Sequence, residues 1–191
     1  MDISVKVTVP GSLSDALSKG IPRDAVHQAM GAGVAALLKD HFLARNSRGN
    51  SKGFPRSNYW AKAREAVSVG EVDDAHAMVH IRHPGVALHL HGGVVRPVRA
   101  KALAVPLRPE AYGVNPREGT VANLFVLASK KSGKAFLAGR GPDGKTRLYW
   151  ILLHHARVPA DPDTLPSKPS LEAAAAKGAR SALRAWAAGT R

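Results

Sequence analysis

One eight-residue stretch of the sequence matches the phosphate-binding loop pattern. Residues 139–146 read GRGPDGKT, with Gly139, Gly144, Lys145 and Thr146 at the fixed positions of G-x-x-x-x-G-K-[ST]. That chemistry needs a helix after the loop, because the helix N-terminus and the loop N–H groups hold the phosphates. The apolar run LYWILL that follows is typical of a buried strand, and Pro-Asp-Gly is typical of a tight turn. We therefore predict a turn between two strands at this stretch.

Nine histidines make a metal site the second chemical possibility. His89 and His91 would lie on one face of a predicted strand, and a neighbouring predicted strand carries three more, at positions 76, 80 and 83. A hydrolytic zinc or manganese site also needs a third ligand with supporting hydrogen bonds, and acids are sparse nearby. We predict no metal and no cofactor, with imidazoles at an interface or on a sheet face. A His-site metallohydrolase is the less favoured alternative.

Signatures of covalent or acid–base catalysis are missing from the sequence. The absence of Cys excludes disulfides and thiolate metal sites, and no G-x-S-x-G motif marks a nucleophilic serine. The paired acids Asp73-Asp74 and Asp161-x-Asp163 are typical of solvated turns. We predict no catalytic residues and expect that the protein is not an enzyme.

The charge of the chain favours polyanionic partners. Lys and Arg total 28 against 14 Asp and Glu, a formal net charge of +14. The basic residues concentrate in a long loop over residues 45–64 and an arm over residues 93–108. The loop also carries Phe54, Tyr59 and Trp60, which would either stack bases or anchor a solvated insertion to the core. The candidate contacts with a neighbouring subunit or DNA are Arg48, Lys52, Arg56, Arg96, Arg99, Lys101 and Arg108.

Hydrophobic periodicity predicts the helices and strands on which these residues lie. An alternating strand occupies residues 3–9, and an amphipathic helix runs from Asp24 to about Ala44, in which Gly31 and Gly33 would admit another backbone. A last helix runs from Leu171 to about Ala188 with Ser170 as its N-cap. The remaining predicted strands cover residues 75–82, 86–90, 102–107, 123–129, 134–138 and 147–154, the last three as a meander.

These elements predict an α+β fold, a mostly antiparallel sheet packed against one long helix with extended loops and arms. We expect a single domain over residues 1–165 and a peripheral basic helix over residues 166–191 that docks weakly or onto a neighbouring subunit. The sequence shows no signal-peptide pattern and no apolar run approaching the roughly 20 residues that span a bilayer. We expect a soluble protein, made in the cytoplasm, without a membrane partner.

Two adjacent segments, HGGVVRP at residues 91–97 and KALAVPL at residues 101–107, resemble the signature of tailed-phage virion morphogenesis proteins. These are proteins of the tail completion, minor tail or head–tail joining type. The segments PEAYG, LFVL, GKAFLA and YWIL follow in the same order, so the resemblance covers roughly residues 20–165. Its structural residues are Gly92, Gly93, Pro97 and Pro106. The glycines permit a sharp change of chain direction, and the prolines exclude a central strand throughout.

The resemblance implies a structural virion protein at the neck of a tailed bacteriophage. Such a protein finishes the tail, as a tail completion or tail terminator component, and joins it to the head. Its expected partners are copies of itself in a ring of six, the tail tube and the head–tail connector proteins. DNA in the lumen would meet the ring without sequence specificity. A nucleic-acid-binding accessory protein is the alternative that the charge favours.

Overall fold

The computed structural model describes residues 2–9, 22–48, 53–55, 57–119 and 121–189. The chain forms two compact units: the first comprises residues 1–47, 58–91 and 160–191, and the second comprises residues 48–57 and 92–159. Helices and antiparallel sheets are both present, which confirms the α+β class. We expected one domain over residues 1–165 and a separate C-terminal helix. The structure instead groups that helix with the N-terminal elements.

The first unit contains a three-stranded antiparallel sheet. Its strands are β1 (Ile3–Val7), β2 (Val67–Val72) and β3 (Ala77–Ile81), in the order β1-β3-β2. Burial alternates along β3, where every second residue is fully buried, as expected for a strand with one face on a core. Strand β2 is not predicted by the sequence, because the alternation of Val67, Ser68 and Val69 fails at Gly70-Glu71, where the pairing register shifts.

Four helices complete the first unit: α1 (Arg23–Ser47), α2 (Tyr59–Glu65), α3 (Pro84–His91) and α4 (Lys168–Gly189). The long predicted helix is confirmed as α1, and α2 begins within the predicted loop over residues 45–64. Helix α1 continues to Ser47, so the connection to α2 is shorter than the loop that we predicted over residues 45–64. The buried face of α1 has helical spacing and forms the core with the sheet. Its large apolar residues are Val26, Met30, Val34, Leu38 and Phe42.

Helices α1 and α4 cross with their backbones in contact. A Cβ atom on Gly33 would lie 2.6 Å from the carbonyl oxygen of Ala174, and one on Gly178 would lie 2.2 Å from that of Ala29. No real Cβ fits at these distances, so glycine is required on both helices. The prediction that small residues of α1 admit another backbone is confirmed.

Helix α4 belongs to the core of the first unit. Ala175 and Ala179 are buried with α1 and the sheet, which is closer packing than the weak docking that we expected. The helix begins at Lys168, so the predicted N-cap at Ser170 is wrong. The Oγ atom of Ser167 accepts a hydrogen bond from the Ser170 backbone N–H. This is the bond that an N-cap side chain forms with the N–H of the third helical residue, so Ser167 is the N-cap.

The second unit contains two antiparallel sheets. Strands β4 (Gly93–Val95) and β9 (Ala156–Val158) pair with each other. The four-stranded sheet consists of β5 (Leu103–Pro106), β6 (Phe125–Ala128), β7 (Ala135–Arg140) and β8 (Thr146–Leu153). Their order in the sheet is β5-β8-β7-β6. The predicted meander is confirmed, and so is the position of Pro106 on an edge strand.

A small core holds the second unit together. Trp150 and Tyr149 on β8 are buried with Ala111, which lies in a 3₁₀ turn over Pro109–Ala111. Further 3₁₀ turns occur at Pro116–Glu118 in this unit and at Pro162–Thr164 in the first unit. Each begins with Pro, whose fixed φ angle suits the first position of a helical turn.

Candidate functional site

The GRGPDGKT stretch is a hairpin connection. Strand β7 ends at Arg140, and β8 begins at Thr146 without a helix after it. Across the turn, the Gly141 N–H donates to the Lys145 carbonyl oxygen at 2.9 Å, and Gly144 has a φ of 72°. Glycine adopts that left-handed conformation without steric cost. The predicted turn is confirmed, and the stretch lacks the helix N-terminus that binds phosphate.

The acid within this turn is used to hold the turn itself. One Asp143 carboxylate oxygen accepts the Lys145 N–H at 3.2 Å, and the other pairs with Arg147 at 3.1 Å. The Arg147 hydrogen bond, with help from Lys145, keeps the pKa of Asp143 below its usual range. The same pairing raises the pKa of Arg147. Both groups are satisfied locally, so the turn presents no free carboxylate for chemistry.

The histidines do not lie on the two neighbouring strands that the sequence predicts. His89 and His91 belong to helix α3, so the strand predicted over residues 86–90 is wrong. Pro84 at the first helical position favours a helix start, and burial of Val86 and Ala87 holds it against the core. Residues two apart on a helix lie about 200° apart around its axis, so these imidazoles do not share a face.

No three His, Asp or Glu side chains converge as a metal site within the described residues. The imidazole of His80 forms a hydrogen bond with Ser4 Oγ at 2.8 Å, and that of His76 contacts Asp73 at 3.0 Å. The metallohydrolase alternative thus loses the shared strand face on which it depended.

A cluster of charged and aromatic side chains joins four separate segments of the first unit. The Arg45 guanidinium lies 4.4 Å from the centroid of the Trp60 ring and forms an ion pair with Asp161. His89 contacts the Trp60 ring at a centroid distance of 5.3 Å and the Tyr59 ring at 5.0 Å. We call these five residues the Arg45 cluster. Sequence reasoning missed it, since its members lie up to 116 positions apart.

Hydrogen bonds to the backbone tie the Arg45 cluster to the turn at residues 161–164. Arg45 also donates to the Asp163 carbonyl oxygen at 2.7 Å, and the Asp161 N–H donates to the His89 carbonyl oxygen at 2.8 Å. The cluster therefore fixes the start of the segment that leads into α4.

The environment of the Arg45 cluster shifts the pKa of its titratable groups. Burial raises the pKa of Tyr59 to about 12. Burial, followed by the charge of Arg45, lowers the pKa of His89. Burial alone would raise the pKa of Asp161, but the hydrogen bond and charge of Arg45 hold it below its usual range. The cluster therefore holds one ion pair, a neutral phenol and a neutral imidazole at neutral pH, an arrangement suited to joining segments.

The aromatic residues of the predicted basic loop anchor it within each unit. Tyr59 and Trp60 belong to the Arg45 cluster, and Phe54 packs against Tyr112 at a centroid distance of 5.3 Å. These contacts favour the anchoring interpretation of the loop over base stacking.

The structure brings together only some of the candidate basic contacts. Arg48, Arg96, Arg99 and Lys101 are exposed, whereas Arg108 is half-buried. Arg96, Arg99 and Lys101 lie between β4 and β5, but Arg108 follows the opposite end of β5 and is separated from them. Lys52 and Arg56 lie outside the described residues.

The two glycines of the signature have positive φ angles. Gly92 has a φ of 69°, a left-handed value that glycine adopts without steric cost, and Gly93 has a φ of 158°. They follow helix α3 rather than the strand that the sequence predicts. Pro97 lies in the segment between β4 and β5, and Pro106 ends the edge strand β5.

Strand β6 is the most exposed apolar element of the second unit. Phe125, Val126 and Leu127 are 41%, 63% and 42% exposed. Successive strand residues face opposite sides of a sheet, so both faces of β6 are uncovered in the described structure. β6 also lies at an edge of the sheet, where its outer backbone groups have no neighbouring strand among the described residues.

Comparison with protein-family models, with curated proteins and with solved structures found no significant match. Among the described residues, no helix combines the length and hydropathy needed to cross a membrane.

Proposed function

We propose that this protein is a structural component of a tailed-bacteriophage virion, located at the head–tail junction and assembled as a ring. In this role it finishes the tail, joins it to the head and performs no catalysis. The proposal rests on the resemblance of residues 91–107 to tail completion proteins. The structural observation that supports it is the exposed apolar edge strand β6.

An edge strand with this composition is suited to subunit contact. Soluble monomers protect sheet edges with charges, prolines or covering elements, because unpaired N–H and C=O groups recruit other strands. Strand β6 has no such protection within its four residues, FVLA. Pairing with a neighbour would satisfy its backbone groups. Because the large side chains are already about half-buried, burial of the rest of each would contribute roughly half of the 1.5–3 kcal/mol expected for full burial.

The two edges of the four-stranded sheet differ, which suits a ring. A closed ring of more than two subunits needs a heterologous interface, in which different patches meet. At the other edge, Pro106 of β5 lacks an N–H, so β5 has fewer backbone hydrogen-bond donors for pairing with a strand of another subunit. Tail tube and connector proteins are the proposed partners at the two faces of the ring, which we propose contains six subunits.

Substituting Val126 tests the role of β6. Light scattering should find the wild-type protein as an oligomer, alone or with tail tube protein. The Val126→Lys variant should be a monomer, because the Lys charge would lose its hydration in the interface between β6 and a neighbouring subunit. Val126 is 63% exposed, so the monomer should tolerate Lys.

The matched control is Leu43→Lys, which places the same charge at an apolar position of α1 that is 51% exposed. This variant should assemble like the wild type. A wild-type protein that stays monomeric both alone and with tail tube protein would contradict the proposal.

A further inference from the structure

The net charge of the chain is concentrated in the second unit. Residues 48–57 and 92–159 contain 15 Lys and Arg against 3 Asp and Glu, a formal net charge of +12. The rest of the chain has 13 against 11, a net charge of +2. The positive charge that favours polyanionic partners therefore lies mainly in the second unit.

Strand register shows where this charge lies on the four-stranded sheet. The pairs Leu103 with Leu153, Ala135 with Leu152 and Ala128 with Ala135 place one end of all four strands together. We call this the basic end. Strand β5 begins here, and the turn between β6 and β7 lies here. Strand β8 leaves the sheet here and leads into β9, where Val95 of β4 pairs with Ala156.

Seven exposed basic residues converge at the basic end, and no acid accompanies them in these segments. None of them forms an ion pair with a carboxylate in the described part of the chain. The seven are Arg96, Arg99, Lys101, Lys130, Lys131, Lys134 and Arg157. Four strands at about 4.8 Å spacing make the row roughly 15 Å wide, enough to meet several phosphates.

All three acids of the second unit are associated with the opposite end of the sheet. Asp143 lies in the turn between β7 and β8, and Glu110 and Glu118 lie in the connection from β5 to β6. Both ends of that connection join the sheet away from the basic end. The distribution of charge along the sheet is therefore asymmetric, and the basic end is left without internal neutralisation.

We propose that the basic end binds the phosphate backbone of double-stranded DNA without reading its sequence. Its three segments, 96–101, 129–134 and 154–158, contain no Phe, Tyr or Trp, so they lack the stacking platforms with which proteins bind single strands. Protein interfaces have an apolar or aromatic centre, and membrane-surface elements have an apolar face. The large apolar side chains in these segments are only two valines, at positions 98 and 158. This property goes beyond ring assembly and does not depend on it.

The test measures binding of the full-length protein to short duplex DNA of several sequences over a series of salt concentrations. The variant Lys130→Gln/Lys131→Gln/Lys134→Gln removes three charges from a turn held by its backbone, in which the Ser129 N–H donates to the Lys134 carbonyl oxygen at 2.8 Å. Affinity should fall similarly for every sequence. The slope of log affinity against log salt should shrink by about 1 for each phosphate that the variant no longer neutralises.

The matched control is Arg117→Gln/Arg140→Gln/Lys145→Gln, which removes three exposed charges away from the basic end. It should retain most of the affinity and the salt slope. A second variant, Arg96→Gln/Arg99→Gln/Lys101→Gln, should reproduce the weaker binding through a different segment, so that misfolding of one turn does not decide the result.

Three outcomes would overturn the proposal. They are equal reductions of affinity in the control and basic-end variants, no duplex binding at low salt, and preference for single-stranded DNA, polyglutamate or anionic lipid vesicles over duplex. DNA binding and assembly are separate measurements, so failure of either one is distinguishable from failure of the other.

Discussion

At the scale of single residues, the most informative side chain is His89. Its ring contacts both Tyr59 and Trp60, and the Arg45 guanidinium stacks on the Trp60 ring. Burial and the nearby positive charge both disfavour the imidazolium form and lower the pKa of His89. Asp161 acts in the opposite direction but is engaged by Arg45. The folded state therefore prefers neutral His89.

This preference predicts how stability depends on pH. The ordinary pKa of His is 6.5, and in the folded protein that of His89 is lower, so below about pH 6.5 the unfolded state takes up a proton first. Relative to His89→Phe, the wild type should lose free energy of unfolding as the pH falls, with a slope of at most about 1.4 kcal/mol per pH unit. Above that pH the difference should be constant. Urea unfolding of both proteins at about pH 8 and about pH 5 measures it, and a difference independent of pH would contradict the assignment.

At the scale of elements, the crossing of α1 and α4 determines how the first unit closes. Gly33 and Gly178 allow carbonyl groups of one helix to approach the backbone of the other. The buried residues that α4 contributes are small, Ala175 and Ala179, so the two backbones can approach closely. Packing at this distance leaves no space for an added methyl group.

Substitution at the crossing should reverse the usual effect of replacing glycine by alanine in a helix. Gly→Ala normally stabilises a helix by about 1 kcal/mol. At Gly178 the new Cβ would lie 2.2 Å from the Ala29 carbonyl oxygen, so Gly178→Ala should instead destabilise by about 1–3 kcal/mol. At Gly189 on the same helix nothing lies within 4 Å, so Gly189→Ala should be neutral or slightly stabilising. Chemical denaturation of both variants checks this, and equal effects would show that the helices do not cross as described.

At the scale of the whole molecule, the two units differ in character. The first unit holds the larger core and little net charge, whereas the second holds most of the net charge, a small core and the exposed strand β6. The candidate surfaces for assembly and for DNA both belong to the second unit. Helix α4 is far from the N-terminus in sequence but belongs to the first unit, so it closes a core rather than forming an appended tail.

Removal of α4 distinguishes a structural helix from an appended one. Truncation after Ser167 would uncover the core around Met30 and Val34, at a cost comparable with the whole stability of a domain, about 5–15 kcal/mol. We expect the truncated protein to lack a cooperative thermal transition. The control, Lys177→Gln/Arg180→Gln/Arg184→Gln, neutralises the exposed basic face of α4 and should unfold like the wild type. A truncated protein with an unchanged transition would support the tail that the sequence predicted.

Elements with a local pattern follow from the sequence alone. The periods of α1, β1 and the meander, and the Pro-Asp-Gly turn after Arg140, follow from side-chain spacing and dihedral preferences within a few residues. Helix α3 contradicts the strand predicted over residues 86–90, because VALHL is too short for its period to distinguish a strand from a helix.

Contacts between distant segments are established by the folding of the whole chain. The Arg45 cluster depends on how α1, α2, α3 and the turn at residues 161–164 pack together. The basic end depends on strand register, which separates Arg108 from Lys101 and brings Lys130 and Arg157 to the same end of the sheet. A sequence specifies charge and local conformation position by position. Contacts between separated segments depend on topology, which the complementary packing of the whole core selects.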